Sequence, residues 1–589
     1  MDEPIYNDIR VYQIDLNFYE FRDFKGNLSK IIPHIIDYHK ENFKSGFEVD
    51  YSFEQFSKDG CNYSLYTFSE KEKDSVWKDF FPKQLIKDND FTVKSTSFVL
   101  FVEIEEKLFC IIGGKGISVV KRFLNSSFGI DLYEKLADPV NDIVYSQNSR
   151  GVSGNLSSEQ ITYRKEQKLQ DALTLGRVPQ KINLLLRKEI KDTIFDFISF
   201  EEDENVYLEI GTSFCLKKKL NFQQLHDLIS NVNIILKSNI IKPLSRFEKV
   251  TDGGYIEDSL KPFLLARIRD DMVRLSTPNS NLNMLLDTDF VHPKKLNLFY
   301  ECDEYKVFFK GEHNPFYVTR DKLTLYKSIL EIVYTVVDKE DDFDFRKTIL
   351  GVRIRGFKDG KKVTDAMFIH HISCEIVFSG KHFFLLDDAW YTVKGDFIKN
   401  INDQCFQLIK RNIVQNNPLD IKWNRNEFTE GDYNLMYINR PNYYILDKII
   451  AQNIELCDII YETDDTIFLI HVKEGFDSKI RDLTNQISIS AKRLWNDLKS
   501  DKLYLKSIFE RYSASQNNKQ NISWEKFSNI FSQKEIVYVM AFTSSVKDKT
   551  LLESFDVHKS NIAKLSVIQS FRDQSENYQL KIIEILIER

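Results

Sequence analysis

Apolar and polar positions change period several times along the chain, and each change marks an element. Near the N-terminus Tyr12, Ile14 and Leu16 alternate with Val11, Gln13 and Asp15, which predicts a strand. Leu28, Ile31, Ile32, Ile35 and Ile36 then recur at helical spacing. Ser97–Glu103 and Lys107–Ile112 read as a hairpin around Glu105 and Glu106, followed by Gly113–Gly116 (GGKG) and a helix from about Ser118. A helix is predicted over Phe222–Leu236. Strands follow over Cys374–Phe378, His382–Leu386 and Trp390–Val393, with a helix over Phe397–Ile409. The last third reads helix (Glu430–Asn439), strands (Tyr443–Asp447, Ile454–Glu462, Thr466–Lys473), a long helix (Ser478–Leu498, capped by Asp477 or Ser478), a strand (Glu535–Phe542), a helix and a closing strand (Leu580–Ile587).

This alternation predicts an α+β multidomain protein. The expected divisions are an α+β domain over 1–135, a mixed α/β region over 136–290 with a polar linker near 140–170, an α+β domain over 291–415, and a C-terminal domain over 416–589. The C-terminal domain is expected to be α/β, with a central mixed sheet flanked by helices.

Composition narrows the picture. With 42% hydrophobic and 29% charged residues the chain is ordinary for a globular protein. A net charge of −7 supplies no overall field toward nucleic acid, so any such contact must come from local patches. The seven cysteines form no CxxC pair, which argues for reduced thiols rather than a zinc site or disulfide framework. No apolar run reaches about 18 residues and MDEPIYNDIR is no signal peptide, so a cytoplasmic protein without a membrane span is expected.

The candidate chemistry lies in IELCDIIYETDDTIFLIHVK. A two-residue turn at Asp464–Asp465 sets Thr463 opposite Thr466, and counting back sets Asp458 opposite His471. Opposed residues share a face, and Lys473 lies two residues beyond His471 on that face. Such groups are common on solvated hairpins. Here, however, the strand is otherwise apolar (Ile467, Phe468, Leu469, Ile470, Val472), so a charged HVK at its end is costly unless it has a task. A carboxylate at Asp458 suits Mg²⁺ or Mn²⁺, and a lysine suits transition-state charge. Glu430 on the preceding helix, with Glu427 as its alternate, would complete a metal site of Asp458, Glu430 and His471, and Gln486 would orient a water or a phosphate.

The order of these elements resembles the PD-(D/E)XK, or restriction-endonuclease-like, superfamily. More closely, EGDYN at Glu430–Asn434, IELCD at Ile454–Asp458, IHVK at Ile470–Lys473, Gln486, and DDAWYTV at Asp387–Val393 resemble the DUF6119 family of sporadically distributed bacterial proteins. The superfamily resemblance implies a metal-dependent nuclease acting on DNA in preference to RNA, in defence against phage or plasmids, with Asp458, Lys473, Glu430, His471 and Gln486 as site residues. His471 stands where the superfamily carries an acid, and an imidazole there suits Mn²⁺ or Zn²⁺ better than Mg²⁺. The alternative reading is an inactive nucleic-acid-binding, sensing or scaffold protein. A protein partner or homo-oligomer is compatible with either.

Outside this region, GGKG lacks the spacing of a P-loop or dinucleotide fingerprint and reads as a tight turn. His370–His371 and Trp390–Tyr391 read as packing, and Lys217–Lys219 as a solvated strand end.

Overall fold

A computed structural model describes residues 8–588 except 43–48, 71–72, 76–77, 79, 87–91, 94, 153–157, 174–175, 202–203, 246, 278–284, 287, 294, 394, 426, 453, 478, 545–548, 559 and 574–577. The chain is α+β. It forms two compact units, one of residues 1–150, 158–246 and 250–261, the other of 151–157, 247–249 and 262–589.

The first unit is built on a ten-stranded sheet. Its order is Val49–Lys58, Cys61–Glu70, Thr96–Ile104, Lys107–Gly113, Arg10–Gln13, Ser213–Leu216, Tyr207–Ile210, Arg177–Leu185, Ile143–Gly151 and Ser158–Lys168. Strand alternation divides the apolar side chains between two cores. Val99, Phe101, Leu108 and Cys110 join Ile31, Ile32, Ile35 and Ile36 of the helix Leu28–Asn42. Leu100, Val102, Phe109 and Ile111 join Leu225, Leu228, Ile229 and Val232 of the helix Phe222–Lys237.

Three expectations need correction here. The sheet takes strands from both sides of residue 135, so no unit boundary falls there. Most of the expected linker near 140–170 is an antiparallel strand pair, apart from 153–157, which lie outside the described residues. Its buried positions include polar Gln147, Ser149 and Arg150, and the Gln147 amide donates to the Ala172 carbonyl at 2.9 Å, so no apolar alternation announced the strands. The helix after GGKG is only Ile117–Val120.

Among the described residues, the second unit holds three sheets of four or five strands and one two-stranded ladder. A four-stranded sheet runs Tyr317–Thr319, Glu304–Phe308, Arg353–Lys358, Lys361–Met367. A five-stranded one runs Phe247–Lys249, Ala389–Val393, Lys381–Leu386, Ile372–Phe378, Thr288–Phe290. Because Thr288–Phe290 pairs with Ile372–Cys374, the expected boundary at 290 is also crossed.

The third sheet is mixed, with strands β1 (Tyr443–Ile445), β2 (Ile459–Glu462), β3 (Thr466–Lys473), β4 (Glu535–Thr543) and β5 (Gln579–Ile585) in that spatial order. β1, β2 and β3 are antiparallel neighbours; β3, β4 and β5 are parallel. Its helices are α1 (Glu430–Leu435), α2 (Lys479–Leu498), α3 (Leu503–Ala514), α4 (Trp524–Gln533) and α5 (Asn561–Asp573). The parallel strands are buried on both faces, which is why they read as unbroken apolar runs. The sheet is not sealed off at 415: the Val414 amide donates to the Ile582 carbonyl at 2.9 Å, and Glu375 accepts from the Ile562 amide at the start of α5 at 3.1 Å. No helix among the described residues is long and apolar enough to cross a membrane.

Candidate metal centre and its lysine

The chain leaves β1 at Leu446, whose amide donates to the Asp458 carbonyl at 2.8 Å. Between these two residues it folds out and back through a short antiparallel ladder, Ile450–Ala451 with Ile454–Glu455, turned with the help of left-handed Lys448 (φ 62°) and Gln452 (φ 52°). Asp447 stands at the entry of this excursion, Glu455 and Asp458 at its exit. One carboxylate oxygen of each lies within 4.8 Å of one from each of the others. The Lys448 amide holds Glu455 Oε1 at 2.7 Å. Gly431 of α1 lies beneath Asp447, where a Cβ would come within 3.1 Å of Asp447 Oδ2.

The β2–β3 hairpin has the register expected from the Asp464–Asp465 turn: the Thr463 amide donates to the Thr466 carbonyl at 2.9 Å, and Ile459 faces Ile470. Strict opposition fails at the next step. The Asp458 amide also donates to the Ile470 carbonyl (3.0 Å), so two residues of one strand meet one of the other, as in a β-bulge, and Asp458 does not stand squarely against His471. The bulge lets the Asp458 carboxylate reach across to the Val472 amide at 2.6 Å.

Asp458 is buried at 5% exposure. Burial first, and the negative charge of Glu455 second, push its carboxyl well above the ordinary range, against the Val472 amide and Lys473. Burial, reinforced by Asp447, also raises Glu455, against the Lys448 amide.

Lys473 reaches Glu430 Oε1 at 2.7 Å. Burial works against its charge, but Glu430, Asp458 and Asp482 outweigh it and the ammonium's pKa is raised. Glu430 is the first residue of α1, whose start is fixed by a reciprocal cap between Thr429 and Asp432. One turn on, Asn434 is fully buried, and among the described residues neither atom of its amide has a partner.

The predicted residues thus divide. Asp458 joins Asp447 and Glu455, and Glu430 joins Lys473. His471 is outside the carboxylate group: its ring is fully buried and stacked on Tyr538 at 6.4 Å, and neither nitrogen makes a hydrogen bond of ordinary geometry. Burial, then the Lys473 charge, lowers it to about 3, against the Leu456 carbonyl. Gln486 is half-buried on α2, and no described contact ties it to the carboxylates. Glu427 is exposed. Ser478 lies outside the described residues, while Asp477 accepts from the Lys479 amide at 2.9 Å at the start of α2. Sequence reasoning missed Asp447 and Glu455 because it ran one strand through Ile454–Glu462. A signal was present in the polar residues Gln452 and Asn453, which break the apolar pattern between two acids.

Residues 202–558, more than half of the 589, match a family described as a family of unknown function, DUF6119. The chain belongs to that family. The match includes Glu430, Asp447, Glu455, Asp458, His471 and Lys473 and stops short of β5. No curated protein and no solved structure matches the chain.

The site in this DUF6119 chain is all oxygen: three clustered carboxylates, with buried Lys473 engaged by Glu430 and exposed Lys448 beside Asp447. Two of the three carboxyls are held unfavourably by burial and mutual repulsion, which a cation relieves. Hard oxygen donors suit Mg²⁺ or Mn²⁺ and do not need an imidazole. Asp447, Glu455 and Asp458 therefore fit such an ion better than the predicted Asp458, Glu430 and His471.

Proposed function

We propose that this protein is a metal-dependent nuclease with a PD-(D/E)XK-type centre, hydrolysing phosphodiester bonds of DNA in preference to RNA. The observation that carries the reading is one carboxylate cluster and one lysine presented together at the Asp458 and Lys473 ends of adjacent strands. Asp447, Glu455 and Asp458 would hold Mg²⁺ or Mn²⁺. When bound, the ion supplies a polarised phosphate oxygen and an acidified water. Lys473 stabilises negative charge developing on the phosphate, and Glu430 keeps its ammonium charged and aimed. Exposed Lys448, beside Asp447, supplies a phosphate contact despite the chain's net negative charge.

The test is cleavage of plasmid, single-stranded DNA and RNA with Mg²⁺ or Mn²⁺, comparing the parent with Asp458→Asn and Asp447→Asn. Both variants should lose metal-dependent cleavage. Nucleic-acid binding by a parent that cleaves none of these substrates would favour the non-catalytic sensing reading. Cleavage unchanged in both variants would place the chemistry elsewhere.

A further inference from the structure

Glu455 sits on a stretch that the five-stranded sheet does not hold, whereas Asp458 is bonded through its backbone to Leu446 and Ile470. Ile454–Glu455 pairs only with Ile450–Ala451, and the ladder of β2 begins at Ile459. Two carbonyls of this stretch are taken up by hydroxyls from two helices. Ser490 Oγ of α2 donates to the Leu456 carbonyl at 2.6 Å, and Tyr504 Oη of α3 donates to the Ile454 carbonyl at 3.4 Å. These two carbonyls flank Glu455. Ser490 and Tyr504 are both fully buried.

Each hydroxyl is itself anchored. Ser490 Oγ shares a hydrogen bond with Tyr538 Oη of β4 at 3.0 Å. Tyr504 is fixed at the start of α3, where the Asp497 carboxylate accepts from the Tyr504 and Leu505 amides at 2.9 and 2.8 Å. Arg493, on the same face of α2 as Ser490 and Asp497, donates to Gln452 Oε1 at the tip of the excursion at 2.6 Å. One face of α2 and the first turn of α3 therefore grip the excursion at its tip and on both sides of Glu455.

We propose that Ser490 and Tyr504 are positioning residues of the carboxylate centre: their hydroxyls fix the backbone around Glu455 and thereby set its separation from Asp447 and Asp458. The inference rests on the metal-centre reading above. Groups that orient metal ligands from behind typically account for about 10–100-fold in metal affinity.

The experiment titrates Mn²⁺ into the full-length protein and follows the electron paramagnetic resonance of free and bound ion, with thermal melting as the control for folding. Ser490→Ala and Tyr504→Phe should each weaken Mn²⁺ binding about 10–100-fold and broaden the bound signal. Ser490→Thr, which keeps the hydroxyl, should restore it. Tyr443→Phe removes a comparable buried hydroxyl, bonded to the Pro418 carbonyl at 2.7 Å, and should leave Mn²⁺ binding unchanged. If the parent binds Mn²⁺ and both variants bind it equally well, the positioning role is wrong and the metal centre stands. If the parent binds no Mn²⁺, the metal centre itself falls, and this inference with it.

Discussion

Lys473 Nζ lies 2.7 Å from Glu430 Oε1, and this pairing joins the end of β3 to the first residue of α1. Both side chains keep some exposure, 19% and 31%, so the pair adds only about 1 kcal/mol or less to stability. Its weight is electrostatic and local. Lys473→Ala should leave the melting temperature nearly unchanged and lower turnover by about 10²–10³-fold. Mn²⁺ binding should not weaken, because a positive charge has left the ion's surroundings. Glu430→Gln should act differently: Lys473, freed, turns toward Asp458 and competes with the cation, so Mn²⁺ binding weakens. Cleavage rates and metal titrations on the two variants separate these outcomes; equal losses of metal binding in both would sink the assignment.

His471 gives a second prediction. Its ring fills buried space against Tyr538 without good hydrogen bonds. An apolar ring of similar shape should replace it at little cost, so His471→Phe should change stability by no more than about 1 kcal/mol. His471→Glu restores the acid of the superfamily pattern but buries a carboxylate without a partner, and should cost at least about 2 kcal/mol. Chemical denaturation of the two variants checks this. A stable His471→Glu protein with tighter Mg²⁺ binding would show that the position is a ligand after all.

These residues show what was legible in the sequence. The turn at Asp464–Asp465 fixed the hairpin register, and the long apolar runs fixed β3 and β4, because two-residue loops and doubly buried strands each leave a one-dimensional signature. The bulge at Asp458 left none, since it depends on where Leu446 and Ile470 meet the chain from either side. Ser490 and Tyr504 were hidden for a similar reason: a buried hydroxyl aimed at a carbonyl 34 or 50 residues away looks like any helical serine or tyrosine. The helices Leu503–Ala514 and Trp524–Gln533 fall between the elements the pattern predicts, because only one stripe of each is apolar.

Acid should destabilise the protein through buried histidines. His371 is fully buried against Phe290, and its Nδ1 donates to the Met367 carbonyl at 2.8 Å. Burial lowers it to about 3, against the pull of that carbonyl. The unfolded chain takes up this proton near pH 6.5, the folded one only near 3. Between these values the unfolded state binds more protons, so the contribution is complete above about 6.5 and is lost as pH falls. His39, lowered to about 4, and His471, lowered to about 3, carry the same sign. Stability measured from pH 7 to pH 5 should fall by up to about 1.4 kcal/mol per pH unit for each such group, and His371→Gln should flatten the slope by its share. A slope unaltered in that variant would show that His371 takes up its proton equally in both states.

The last prediction concerns residue 415, where the sequence suggested that a self-contained C-terminal domain begins. The helix Gly395–Asn412 buries Phe397, Ile401, Cys405 and Ile409. Its Asn402 accepts from the buried Lys564 ammonium of α5 at 2.8 Å, and Glu375 receives the Asn561 side chain and the Ile562 amide at 3.0 and 3.1 Å. Ile413 and Val414 add backbone pairing to Ile582 on the edge strand β5. A cut at 420 removes all of these at once. It strips the cover from α5, leaves Lys564 without its acceptor, and exposes an edge strand. Each large apolar side chain returned to water costs about 1.5–3 kcal/mol, and a handful of these equals the whole stability of a domain this size. Residues 420–589 expressed alone should therefore fail to melt cooperatively, and native-state proteolysis should release no stable fragment beginning near 420. Recovery of such a fragment with a sharp melting transition would show that the contacts of Asn402, Glu375 and Val414 are dispensable and that the sequence-based boundary is the real one.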